Sequence, residues 1–314
     1  MTTRALHRVP RWILVVAVVT VAVGSVASAC AEAGAAGRVV IGAGATAEQQ
    51  LLAAIAYDAV RRAGVPVEVR DRLGGTTGLR RQALADQVDL YWDYTGAAWT
   101  LGLRETAPPA DPLESWERVR EADADQGLRW LEASGANATF ALVVRRGDLP
   151  PSDGQRGMGW LAGELSSGRR RLCADQDFLA RADGLPSLAA EYGIDAAGMP
   201  RRAAPEGEAV RAVRAGECFA GLATATSGLA RAADLVPVED ELRVFPAFVV
   251  APVVREGSPA DRPPVGAALR RVTAALDTST LARLNAEVVD GEDPADVAAR
   301  FVDGLDRSDA TPAP

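Results

Sequence analysis

The sequence predicts an α/β protein built as two lobes. Short apolar runs alternate with helical stretches from Arg38 to about residue 303, which is the pattern of strands joined by helices. That alternation is interrupted by a polar, proline- and glycine-containing stretch at 150–157 and restarts at Arg171, placing a change of lobe near residue 140. The span, roughly 280 residues, also exceeds what a single hydrophobic core ordinarily fills.

The first segment reads as a targeting signal, residues 1–29. Arg4, Arg8 and Arg11 precede an unbroken run from Trp12 to Val26, too short and wrongly flanked for a membrane span. The run closes on Val26-Ala27-Ser28-Ala29-Cys30, small residues before a cysteine that resemble a bacterial lipobox with Cys30 as the lipidated mature N-terminus. Ala27 stands where leucine is preferred, so plain cleavage after Ala29 is the alternative. The expected place is the outer face of the cytoplasmic membrane, or the exterior if Cys30 is not lipidated. Residues 30–37 are small and polar, a tether.

Composition excludes several function classes. Loss of residues 1–29 removes three arginines and no acid, taking the net charge from −8 to −11. So acidic a chain, without a basic run, is unsuited to nucleic acid or to a basic membrane-surface helix. Its one histidine, His7, lies in the signal segment. The mature chain therefore has no Ser-His-Asp or Cys-His catalysis and no histidine-ligated zinc. Catalysis by paired carboxylates would survive this absence, with Asp89 and Asp93 as candidates. Cys173 and Cys218 are each expected on a strand, and outside the cytoplasm a disulfide between them is favoured over a buried thiol pair.

The elements follow in order. Arg38–Gly42 is a strand, and Glu48–Ala63 a helix. Between them, Gly42-x-Gly44-x-x-Ala47 imitates a dinucleotide fingerprint, with Asp71 as its acid, but a nicotinamide cofactor does not suit an exported protein, and no cofactor is expected. Val65–Arg70 is a second strand leading to Leu73-Gly74-Gly75-Thr76-Thr77, whose glycines allow close backbone approach and whose threonines can cap the helix 78–85. Its N-terminus offers free N–H groups to a carboxylate.

Next comes Asp89-Leu90-Tyr91-Trp92-Asp93-Tyr94-Thr95-Gly96-Ala97-Ala98-Trp99. Four aromatic rings in nine positions, in a chain only 5% aromatic, suggest a ligand surface at a strand's carboxyl end, and ring faces suit a cation. Helices at 112–126, 160–165, 185–192, 207–214, 263–277, 280–289 and 294–305 and strands at 128–131, 139–144, 171–174, near 201, 218–223 and 242–250 complete the expectation. Residues 306–314 are expected to be a disordered tail.

In order along the chain, these stretches resemble the substrate-binding proteins of ABC importers for glycine betaine, choline and related osmoprotectants. The blocks are Ile41-Gly42 through Glu48-Gln49, Leu73–Thr76, Asp89–Ala97, Phe178 with Arg181, Asp183, Gly184, Leu185 and Pro186, Phe245–Val254, and Asp293–Ala298. The resemblance covers about residues 38–303. It implies the type II periplasmic-binding-protein fold, with hinge strands, a ligand cleft between the lobes and closure by hinge motion. Lobe I would then be discontinuous, 38–139 with 249–305, and lobe II would be 140–248. No chemistry on the ligand is implied; the partners are a small cationic or zwitterionic solute and a permease, with the protein itself a monomer.

An aromatic box for the quaternary ammonium is implied at Tyr94, Phe140 and Phe248 or Val249, with the position of a fourth ring falling on Thr224. Trp92, where the family has proline, could restore a ring. For the solute's carboxylate the family's lysine falls on Gly44 and a threonine on Ala97, while Arg181 remains. Thr76 belongs to the glycine-threonine loop of the same site. Losing two of three partners for a buried carboxylate favours choline over glycine betaine.

Overall fold

The computed structural model describes residues 37–151 and 156–310. The lipidation site Cys30, the signal segment and nearly all of the tether lie outside them. Among the described residues no helix is long and apolar enough to cross a membrane.

Strand β1 (Val39–Gly42) runs into helix α1 (Ala47–Arg62), followed by β2 (Val67–Arg70), α2 (Thr76–Leu84) and β3 (Leu90–Tyr94). The start of α1 is fixed by a capping box. The Thr46 hydroxyl accepts from Gln49 N–H, and the Gln49 side chain accepts from Thr46 N–H. Buried Leu51, Leu52, Ile55, Ala56 and Val60 recur at helical spacing and turn one face of α1 to the sheet. After a short helical turn at 95–102 come α3 (Pro112–Ala124), with proline at its start and the Asp111 carboxylate as cap, and β4 (Leu128–Trp130).

The second sheet begins with β5 (Phe140–Arg145). It continues through α4 (Met158–Ser166), β6 (Leu172–Ala174), α5 (Gln176–Ala180), α6 (Leu185–Tyr192), β7 (Arg201–Ala203), α7 (Glu206–Arg214), β8 (Ala220–Thr224), α8 (Gly228–Ala232) and β9 (Leu235–Pro237). The chain then returns to the first sheet as β10 (Val250–Arg255) and ends in α9 (Pro263–Ala275), α10 (Thr278–Val289) and α11 (Pro294–Ala310).

The two sheets share one plan, with strand orders β2-β1-β3-β10-β4 and β7-β6-β8-β5-β9. In each, three strands are parallel. One antiparallel strand, β10 or β5, is inserted beside the third, with Val250 opposite Tyr94 in one sheet and Phe140 opposite Thr224 in the other. Each sheet is covered on both faces by apolar clusters, as expected for parallel strands. The two crossings between lobes lie side by side: Ala138 N–H donates to Phe248 O (2.9 Å), Phe248 N–H to Asn137 Oδ1 (2.7 Å) and Val250 N–H to Ala136 O (2.9 Å). Cys173 and Cys218 are joined in a disulfide with Cα atoms 6.0 Å apart, on the neighbouring strands β6 and β8 or just before them.

Several expectations are corrected. The strand expected at 242–250 is mostly crossover, and the strand proper starts at Val250 and contains Pro252 opposite Trp92. Helices α5 and α8 and strand β9 were not anticipated. Residues 306–310, expected to be disordered, continue α11.

Candidate functional site

The carboxyl ends of the parallel strands in both sheets face a cleft of about 780 Å³. Of the residues singled out from sequence, Thr76, Tyr94, Phe140, Arg181, Thr224 and Phe248 line it. Trp92 and Gly44 do not. Trp92 is on the same face of β3 as Tyr94 but two residues further from the strand's carboxyl end, inside the core of the first lobe, where it is 2% exposed and its indole N–H has no partner. Gly44 lies beneath Gln49: a Cβ there would fall 2.0 Å from Gln49 Oε1, the atom that closes the capping box.

Asp89 and Asp93 are not a carboxylate pair at the cleft either. Asp89 accepts from Val40 N–H (2.9 Å) and from Arg255 (2.7 Å), tying β3 to β1 and β10. Asp93 is fully buried; that burial pushes its carboxyl up to about 8, against the opposing pull of Tyr94 N–H, which donates to Oδ1 at 2.8 Å.

The rings come from three elements. Tyr94 ends β3, Phe140 begins β5, and Phe248 lies on the return crossover, its centroid 6.1 Å from that of Phe140. Phe140 is held edge-on by Phe178 (5.5 Å) and Phe245 (5.9 Å) behind it, so its position is set by packing.

Two acids that sequence reasoning did not place in the site also line the cleft, Glu48 in the first turn of α1 and Glu206 at the start of α7. Glu48 accepts from the Tyr94 hydroxyl (2.7 Å) and, through its other oxygen, from Asn285 Nδ2 (2.6 Å). The same Asn285 nitrogen donates to Thr226 O at 2.8 Å, so this amide joins lobe I to lobe II on the cleft wall. Glu206 accepts from the Ser227 hydroxyl. Burial raises its carboxyl above the ordinary range; the Ser227 hydrogen bond pulls down, and the negative charge of Glu48 pushes up. Among the described residues the one basic residue lining the cleft, Arg181, is held by both oxygens of Asp183 (2.9 and 2.6 Å), and its Cζ lies 5.8 Å from the Phe140 ring centroid.

Three rings and two carboxylates facing one space, with the only cation neutralised, make a site for positive charge. A second cavity of about 380 Å³ shares Thr224 and Ser227 with the cleft but has neither acid nor ring in its lining. The cation chemistry therefore belongs to the larger cleft. The signal for Glu206 in the sequence was slight, an acid at a helix start being the commonest of features.

Residues 37–304 match the family model for the substrate-binding domain of ABC-type glycine betaine transport systems. The chain belongs to this family. It is similar to the glycine betaine-binding protein YehZ of Escherichia coli (strain K12), 29% identical over 85% of this chain and 90% of that one. It is also similar to a glycine-betaine-binding protein of Pseudomonas aeruginosa, 30% identical over 83% of this chain and 86% of the relative. The solved structure of apo YehZ superposes with a TM-score of 0.76, at 28% identity, covering 85% of this chain and 98% of that one. A glycine betaine/carnitine/choline ABC transporter structure has the same fold, with a TM-score of 0.77 at 22% identity over 85% of this chain and 98% of that one. Family members are substrate-binding proteins of ABC transporters rather than enzymes, which removes the two-carboxylate hydrolase as a reading.

Proposed function

We propose that this chain is the extracytoplasmic solute receptor of an ABC importer and that its solute is a small quaternary ammonium compound, with choline ahead of glycine betaine. The observation that carries the choice is the pairing of Glu48 and Glu206 with Tyr94, Phe140 and Phe248 in one cleft whose only cation is tied to Asp183. A trimethylammonium group cannot donate an ordinary hydrogen bond, so it is held by ring faces and by the field of nearby carboxylates. Glycine betaine would bring a carboxylate next to two acids.

Tyr94, Phe140 and Phe248 form the box. Thr224 and Thr76 are polar edges, and Arg181 closes one side through its ion pair. Capture brings 140–248 against 38–139 and 249–305 about the paired crossings, and the permease reads the closed form. In the same proposal Cys30 carries the lipid that keeps a monomeric receptor beside its permease. Cleavage after Ala29 without lipidation would give a secreted receptor.

The test is isothermal titration with choline, glycine betaine, proline betaine and carnitine. Micromolar choline binding that drops sharply in Tyr94→Ala is the expected result. Glycine betaine binding as tight as choline would overturn the charge argument. Silence across the panel would point to another solute, or to a receptor fold used for a partner.

A further inference from the structure

A second charged site lies at the opposite end of lobe II. The register sets its place: Phe140 opposite Thr224 is at the cleft, and Val144 opposite Ala220 is four residues away, so Arg145 emerges at the far edge of the sheet, roughly 16 Å from the cleft. There, Arg145, Arg169, Arg170 and Arg171 line a cavity of about 250 Å³. Among the described residues the only acid in its lining, Glu217, is already paired with Arg202 at 3.1 Å.

The guanidinium groups are fixed from behind. Arg145 spends Nε and one terminal nitrogen on Asp148 (2.7 and 3.2 Å), leaving Nη1 over Gly216, where a Cβ would come within 2.7 Å of it. Arg170 gives Nε to Glu164 (3.0 Å) and lies 4.3 Å over the Phe219 ring, leaving both terminal nitrogens uncommitted. Among the described residues the side chains of Arg169 and Arg171 have no hydrogen bond or ion pair. Forked donors oriented by acids and by a ring, with their outer N–H groups free, match the oxygens of a phosphate group.

We infer that the cavity between Arg145, Arg169, Arg170 and Arg171 binds a phosphate group, a site separate from the solute cleft and independent of which solute the cleft takes. The phosphate could be free or part of a lipid headgroup.

The experiment is calorimetric titration of the full chain, kept in non-ionic detergent, with inorganic phosphate and, separately, with glycerophosphoglycerol as a soluble headgroup diester. The wild type and the double variant Arg169→Ser/Arg171→Ser are compared. Both residues are exposed and unpaired, so the variant keeps its fold, and an unchanged thermal midpoint and circular dichroism spectrum check this. Saturable phosphate binding that weakens about tenfold or more in the variant supports the site. Binding of phosphate alone assigns it to free phosphate, and binding of the diester assigns it to a headgroup. Absence of saturable binding of either probe, or binding as tight in the variant as in the wild type, overturns the inference.

Discussion

Glu206→Gln is the most direct test of the charge argument. Glutamine keeps the size of the side chain and the acceptor that Ser227 uses, so lobe II should fold as before. What it removes is one negative charge from the cleft. A trimethylammonium about 5 Å from a carboxylate, at an effective dielectric of about 20, gains about 3 kcal/mol. The opening of the cleft to solvent reduces this, and so does the relief of burying a charge, leaving about 1–2 kcal/mol, or roughly a 5- to 30-fold loss of choline affinity. Glycine betaine should bind the variant as well as the wild type or better. Protons give a second readout. Glu206 titrates above the ordinary carboxylate range because it is buried, and a bound cation must pull it back down. In the wild type, choline binding therefore releases protons while Glu206 is partly protonated, and affinity rises with pH through that window. Titration in two buffers of different ionisation heat measures the release, which should be smaller in Glu206→Gln. Equal choline affinity in the two proteins, with equal proton release, would refute the reasoning.

Other outcomes are expected elsewhere. Asp93 is held above its unfolded value, so the native state binds the extra proton; stability should fall as pH rises from about 4 through about 8, by up to several kcal/mol. Asp93→Asn should flatten that slope in urea midpoints measured across the window. Gly228→Ala would place a Cβ 2.5 Å from the Asn285 backbone, forcing α8 and α10 apart at the lobe seam and stretching the Asn285–Thr226 bond. Solute affinity should fall by about 1–3 kcal/mol, as read by titration, while the thermal midpoint changes little. Removing the disulfide with Cys173→Ser/Cys218→Ser opens a loop closed over 45 residues and should cost about 2–4 kcal/mol in denaturant unfolding.

The two-lobed α/β class was legible because it rests on period and length, which survive in any one sequence. Strand β10 was placed too early because the apolar run from Val244 to Val254 is long, with a proline in each half, and composition alone does not say which part pairs. The short elements α5, α8 and β9, three to five residues each, carry too little periodicity to be read. In the site, Tyr94, Phe140 and Phe248 were found through motif blocks. Trp92 was misjudged because aromatic character says nothing about how far along a strand the cleft begins: Trp92 and Tyr94 share one face of β3, but Tyr94 ends the strand at the cleft and Trp92, two residues back, is inside the core. Glu206 and Asn285 were invisible because the cleft brings together α7 and α10, which are far apart in the chain, and neither residue stands in a recognisable block.

The departures on the anion side and the acids on the cation side have one consistent reading. A Cβ at position 44 would fall 2.0 Å from Gln49 Oε1, so a longer residue there would make the Gln49 side chain, which closes the capping box, shift aside. With glycine there, the box is intact and the adjacent Glu48 is left without a neighbouring cation, its oxygens held instead by Tyr94 and Asn285. Ala97 is buried against the first lobe and offers no hydroxyl. Both losses remove partners for a carboxylate, while Glu48 and Glu206 add field for a cation. A simple quaternary amine gains from the second change, whereas a zwitterion also carries its own carboxylate toward those acids and loses on both counts.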